Sequence, residues 1–130
     1  MDLTPAMKNV LIVDDHWAIR SAIRFVLEKE NQVSICGEAE DGFDALVKAA
    51  QLKPDLIILD LVMPKLDGAL TAWVLERISP EVPIILFTMY ETAVDALAPA
   101  IGVEVLSKPE GFKDLVRRVR ELLYPQKARW

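Results

Sequence analysis

Apolar and polar positions follow two alternating rhythms along this chain. Five short runs are dominated by Val, Ile and Leu: "NVLIV" (9–13), "QVSIC" (32–36), "DLIIL" (55–59), "PIILF" (83–87) and "VEVLS" (103–107). Three of them are apolar almost throughout, as expected of parallel strands covered on both faces. Between the runs the spacing becomes helical. Ile19, Ile23, Val26 and Leu27 recur at one face, then Ala45, Leu46 and Ala49, and finally Phe112, Leu115, Val116, Val119 and Leu122. The stretch "GALTAWVLERI" (68–78) reads as a further helix. Its Ala69, Ala72 and Leu75 are expected to face the sheet, leaving Leu70, Trp73 and Val74 outward. Breakers agree with this division: Pro54 before the third run, Pro83 opening the fourth, Gly102 before the fifth. Strand and helix therefore alternate five times. The pattern predicts an α/β protein, a (βα)5 doubly wound five-stranded parallel sheet with helices on both faces and right-handed crossovers.

Composition narrows the class without changing the fold. A chain of 130 residues, 52% apolar, suits one domain that buries its core without disulfides. Residues 1–130 read as that single domain, with a core of about 8–124 and a tail, 125–130, that is a fraying end or the start of a linker. No repeat or low-complexity tract interrupts it. The one cysteine, Cys36, cannot form an internal disulfide and fits a reducing compartment, as a small buried hydrophobe. The start, "MDLTPAMKN", lacks a basic region leading into an apolar stretch, and no apolar run approaches a membrane span. The expectation is a soluble, cytoplasmic chain. Net charge of −5 and a pI near 4.9 argue against direct nucleic acid binding. Charge is uneven, however: residues 108–130 hold seven Lys or Arg against three Asp or Glu. A solvated helix face explains this first, a docking surface for an acidic partner second.

The chemistry lies at the strand ends. In an open parallel sheet, ligands bind at the carboxyl edge of the strands. The first run ends in Asp14 and Asp15, the third in Asp60, the fourth in Thr88, and the fifth leads to Lys108 and Pro109. The second ends blandly in "GEAEDG". Three carboxylates at one edge repel unless a cation sits among them. All-oxygen ligands suit Mg2+ better than zinc, which favours His or Cys. With His16 the single histidine, zinc is not expected, and His16 reads as a loop residue rather than a ligand or base.

"LIVDDH", "LDLVMPKLDG", "LFT" and "LSKP", together with "GEAEDGFDAL", resemble the receiver domain of bacterial two-component response regulators over about residues 8–124. Asp60-x-x-Met63-Pro64-x-x-Asp67-Gly68 is the most specific part. The resemblance implies a flavodoxin-like strand order 2-1-3-4-5. It makes Asp60 the phosphoacceptor, taking a phosphoryl group from a phosphohistidine of a sensor histidine kinase or phosphotransfer protein. It implies Mg2+ held by Asp14, Asp15, Asp60 and the main-chain carbonyl of Val62, with Asp14 acting through water. Lys108 would pair with a phosphoryl oxygen, and Thr88 would donate its hydroxyl to another and switch. Pro109 matches the family proline that follows a cis peptide, and Gly68 the residue that allows the turn after Met63-Pro64. A downstream output protein or domain, or a homodimer, would read the switch; neither nucleic acid nor a membrane is an expected partner of this chain.

Two departures from the family stand out. The fifth strand carries Val105 where many receivers have an aromatic, with Tyr90 a candidate substitute, and Pro99 disturbs the helix before that strand. The Leu70–Trp73–Val74 face is apolar where the family is polar; it is either a protein contact or is buried by a helix rotation. The competing enzyme class is a Mg2+-dependent phosphatase or phosphotransferase of haloacid-dehalogenase type. It wants Asp-x-Asp after the first strand, which "DDHWA" lacks. A nucleotide-binding domain fails for want of a Gly-rich loop after "VLIV", and a degenerate scaffold because every residue of the edge is present.

Overall fold

The computed structural model describes residues 6–60, 63, 65, 67–88, 104–107 and 111–125, with only the backbone of 104–107. Its elements, in order, are β1 (Lys8–Val13), α1 (Trp17–Glu28), β2 (Val33–Ala39), α2 (Gly42–Leu52), β3 (Leu56–Leu59), α3 (Gly68–Ile78), β4 (Ile84–Thr88), β5 (Glu104–Ser107) and α4 (Phe112–Leu123). The strands form one sheet in the order β2-β1-β3-β4-β5, every pairing parallel. This is the expected flavodoxin-like arrangement. The helix expected between the fourth and fifth strands, with Tyr90 and Pro99, lies outside the described residues.

Because successive side chains of a strand point to opposite faces, each continuous apolar strand supplies two cores at once. Leu11 and Val13 of β1, with Ile57 and Leu59 of β3, pack under α2 and α3 through Ala45, Ala49, Ala72 and Leu75. Val10 and Ile12, with Leu56 and Ile58, pack under α1 and α4 through Ile23, Leu27, Leu115 and Val119. Phe87 of β4 fills the second core beside Phe112, ring centroids 5.7 Å apart. Helices therefore cover both faces.

β2 runs three residues beyond its apolar run, through the polar stretch that ends in Ala39. It is an edge strand, paired with β1 alone among the described strands, so it needs no continuous apolar sequence. Its Glu38 is held by Arg20 and Arg24 of α1, at 3.0 and 2.8 Å, which ties helix to edge. The register slips by one between Val10 and Leu11, leaving Cys36 as the extra residue of a bulge. Cys36 is half-buried there rather than fully buried, and burial raises its thiol pKa. At Gly37, next to it, an added Cβ would lie 2.7 Å from Leu52 Cδ1, so the Leu52 side chain would have to shift.

α3 spans the expected residues, but its phase is turned. Gly68, Thr71, Ala72 and Leu75 are buried, while Ala69 is half-buried. Thr71 is admitted to the interior because its hydroxyl donates to the Asp67 carbonyl at 2.7 Å, satisfying the buried oxygen. Leu70 and Trp73 are exposed, with the Arg77 guanidinium 4.1 Å over the indole, and Val74 is half-buried. Among the described residues of the turn before α3, Lys65 has a positive φ, 67°. Gly68 is instead the first, buried residue of the helix, where Asp67 caps Leu70 N–H at 2.8 Å. No described helix is long and apolar enough to cross a membrane.

Candidate functional site at the carboxyl edge of the sheet

β1 and β3 lie side by side, so their last residues deliver Asp14, Asp15 and Asp60 to one spot. The backbone fixes this directly: Asp60 N–H donates to Val13 O at 2.9 Å, and Asp14 N–H to Ala39 O at 3.0 Å. Asp14 and Asp60 are buried, at 1% and 5% exposure, and Asp15 is half-buried. Thr88, fully buried, ends β4 in the next position along the edge. One ligand atom each from Asp14, Asp15, His16 and Asp60 lies within 4.8 Å of the others.

His16 is the member that the sequence did not reveal. Its backbone N–H donates to Asp14 Oδ1 at 2.9 Å, closing a tight turn that swings the ring over the acids. Its Nδ1 sits 3.3 Å from Asp14 Oδ1 and 3.0 Å from Asp15 Oδ1. The Asp15 contact lacks hydrogen-bond geometry, and Asp15 Oδ1 is a buried oxygen with no donor. A buried acceptor without a donor costs about 1–3 kcal/mol. Such an oxygen, among further carboxylates, fits a divalent cation.

Other cations stabilise the frame. Arg20 donates Nη1–H to the Asp14 carbonyl at 2.7 Å. The segment after β2 also contributes: Asp41 is buried, caps α2 by accepting from Asp44 N–H at 2.8 Å, and pairs with Lys65 at 3.4 Å. That N–H, with help from Lys65, holds the Asp41 carboxyl below the ordinary carboxylate range. Asp15, Glu40, Asp41 and Lys65 line a cleft of about 260 Å³ beside the acids. A larger hollow of about 560 Å³ opens at the opposite edge, around Pro54, Asp55 and Ser79, away from the acid cluster.

A family model described as the response regulator receiver domain matches residues 10–120. The chain belongs to this receiver family. A protein-glutamate methylesterase/protein-glutamine glutaminase of a Nocardioides species is 35% identical over 125 residues, covering 91% of this chain and 34% of that protein. The isolated receiver domain of RcsB from Salmonella enterica, solved with the phosphomimetic BeF3-, superimposes with a TM-score of 0.83 at 29% identity, covering 90% of this chain and 88% of that one. TrrA of Thermotoga maritima, solved with Mg(2+)-BeF, gives a TM-score of 0.80 at 32% identity, covering 89% and 99%. The receiver spans about a third of the length of the first curated relative and about half of another, the VraR protein of Staphylococcus aureus.

In this receiver, Asp14, Asp15 and Asp60 converge as expected from sequence, and Thr88 stands on the adjacent strand. Val62, Lys108 and Pro109 lie outside the described residues, and Val105 is described as backbone alone. Sequence reasoning missed His16, Asp41 and Arg20. The capping pattern Asp41-x-x-Asp44 ahead of "FDALVKAA" was a readable signal for Asp41.

Proposed function

We propose that this receiver accepts a phosphoryl group on Asp60 from a phosphohistidine of a sensor histidine kinase or phosphotransfer protein. The observation that carries the reading is the buried Asp60 carboxylate at the end of β3, against Asp14 and Asp15 and one strand from the buried Thr88 hydroxyl. An Asp60 oxygen attacks phosphorus, the P–N bond breaks, and its electron pair returns to the imidazole of the donor. Attack by an anion on an anionic phosphoryl group is limited by repulsion, so catalysis is positioning plus neutralisation. Asp14, Asp15 and Asp60, with the Val62 carbonyl, are the residues that would hold Mg2+, whose charge would offset that repulsion. Lys108 would supply a second positive charge. Thr88 would donate its hydroxyl to the new phosphoryl group, and its movement would carry the signal to the output surface.

The receiver then acts as a switch for protein contacts rather than as a turnover enzyme, with an output protein or domain, or a second copy, reading the state. Residues 1–130 form one receiver unit in this proposal, working in the cytoplasm. The test is intact mass after exposure to a small phosphodonor with Mg2+. One added phosphoryl group is expected, absent without Mg2+ and absent in Asp60→Asn. An unmodified wild-type mass with every donor tried overturns the proposal.

A further inference from the structure

We propose that His16 is a nitrogen ligand of the acidic site, so that the site takes a divalent cation of the Mn2+ or Co2+ class more tightly than Mg2+. The inference rests on the acids being metal ligands, as proposed above, and adds a donor of different chemistry. His16 Nδ1 stands 3.0 Å from Asp15 Oδ1 and 3.3 Å from Asp14 Oδ1. Octahedral donors at about 2.1 Å from a metal lie about 3.0 Å apart at adjacent corners. Nδ1 thus stands at about the spacing of an adjacent ligand from each carboxylate oxygen, and a metal would replace its present hydrogen-bond contact with Asp14 Oδ1. One ligand atom from each of these three residues lies with an Asp60 oxygen in a group no wider than 4.8 Å.

Two local features aim the ring. The His16 backbone N–H is tied to Asp14 Oδ1, and its side chain makes no capping bond to α1 although it holds the N-cap position. The ring is 67% exposed, so no packing opposes a small adjustment toward a bound ion. Asp15 Oδ1, buried and without a donor, is the oxygen such an ion would satisfy. Imidazole adds affinity for Mn2+, Co2+ and later metals, whereas Mg2+ is served by oxygen and water. One nitrogen beside three carboxylates therefore shifts preference without abolishing Mg2+ binding.

The experiment titrates the full chain with Mn2+, Co2+ or Mg2+ alone. Electron spin-echo spectra of the Mn2+ complex should show coupling to an imidazole nitrogen, which this chain's single histidine makes unambiguous. In His16→Gln that coupling should vanish. Calorimetric Co2+ affinity should fall at least about tenfold, the scale seen even for outer-shell changes at metal sites. Mg2+ affinity should move less than about twofold. Mn2+ binding without nitrogen coupling, or equal Co2+ affinity in wild type and His16→Gln, overturns the role of His16 and leaves the acid site standing. Cation binding unaffected by both Asp15→Asn and Asp60→Asn overturns the acid site and this inference together.

Discussion

Removing a charge from the site should make the metal-free protein more stable. Asp14, Asp15 and Asp60 place carboxylate oxygens within 4.8 Å of one another. At an effective dielectric constant of about 20, two unit charges at that distance repel by about 3.5 kcal/mol. Asp15 faces two such neighbours, so the repulsion before screening is about 7 kcal/mol. Its side chain is 29% exposed, so water screens much of that. Asp15→Asn keeps the shape and should gain about 1–3 kcal/mol in the presence of a chelator. Urea unfolding at neutral pH reads this as a rise in midpoint of about 0.5–1.5 M at unchanged slope. Millimolar Mg2+ should stabilise the wild type and leave Asp15→Asn almost unmoved, since an ion that binds only the folded state shifts its stability by mass action. A chelated Asp15→Asn with the same or a lower midpoint would show that repulsion is not stored at this edge.

Three further outcomes test the frame. Phe87→Ala empties a fully buried position beside Phe112 and should cost about 3–5 kcal/mol in urea unfolding; a loss under about 1 kcal/mol would refute its place in the core. Gly37→Ala meets Leu52 Cδ1 at 2.7 Å, but Leu52 is a partly exposed side chain that can shift, so the cost should stay near about 1 kcal/mol. Leu52→Ala in the same chain should remove that cost, and a cost that persists in the double variant refutes the clash. Asp41→Ala removes the α2 cap and should cost about 1 kcal/mol at neutral pH. Because the folded state lowers the Asp41 carboxyl pKa, its stabilisation is present above about pH 4 and is lost as pH falls through the folded value. The gap between wild type and Asp41→Ala should therefore narrow in acid, and a constant gap contradicts the assignment.

β1, β3 and β4 were legible because burial on both faces demands continuous apolar sequence, and such runs are seldom made otherwise. The two-sided core followed from the same fact. β2 was only partly legible: an edge strand tolerates Glu38 and a bulge at Cys36, whose pairing depends on β1 rather than on β2's own sequence. The span of α3 was readable from its spacing, but its phase was not. Thr71 turned inward because the Asp67 carbonyl was there to accept its hydroxyl, a contact that a hydropathy pattern does not weigh. The departure at Trp73 held as exposure, with Arg77 stacked upon it, while Val74 was half-buried by the same turn of the helix.

Sequence alone determined the alternation of strands and helices, the family, and the fact that acids end the first and third strands. These are properties of local pattern, and local pattern survives without tertiary contacts. Tertiary structure decided which acids meet and what joins them. The parallel pairing of β1 with β3 brings Asp60, 45 positions along the chain, against Asp15. The turn that Asp14 closes around the His16 N–H sets an imidazole over that pair. Distances of a few ångströms between residues far apart in sequence are set by sheet register and turn geometry. No reading of residue order alone contains them.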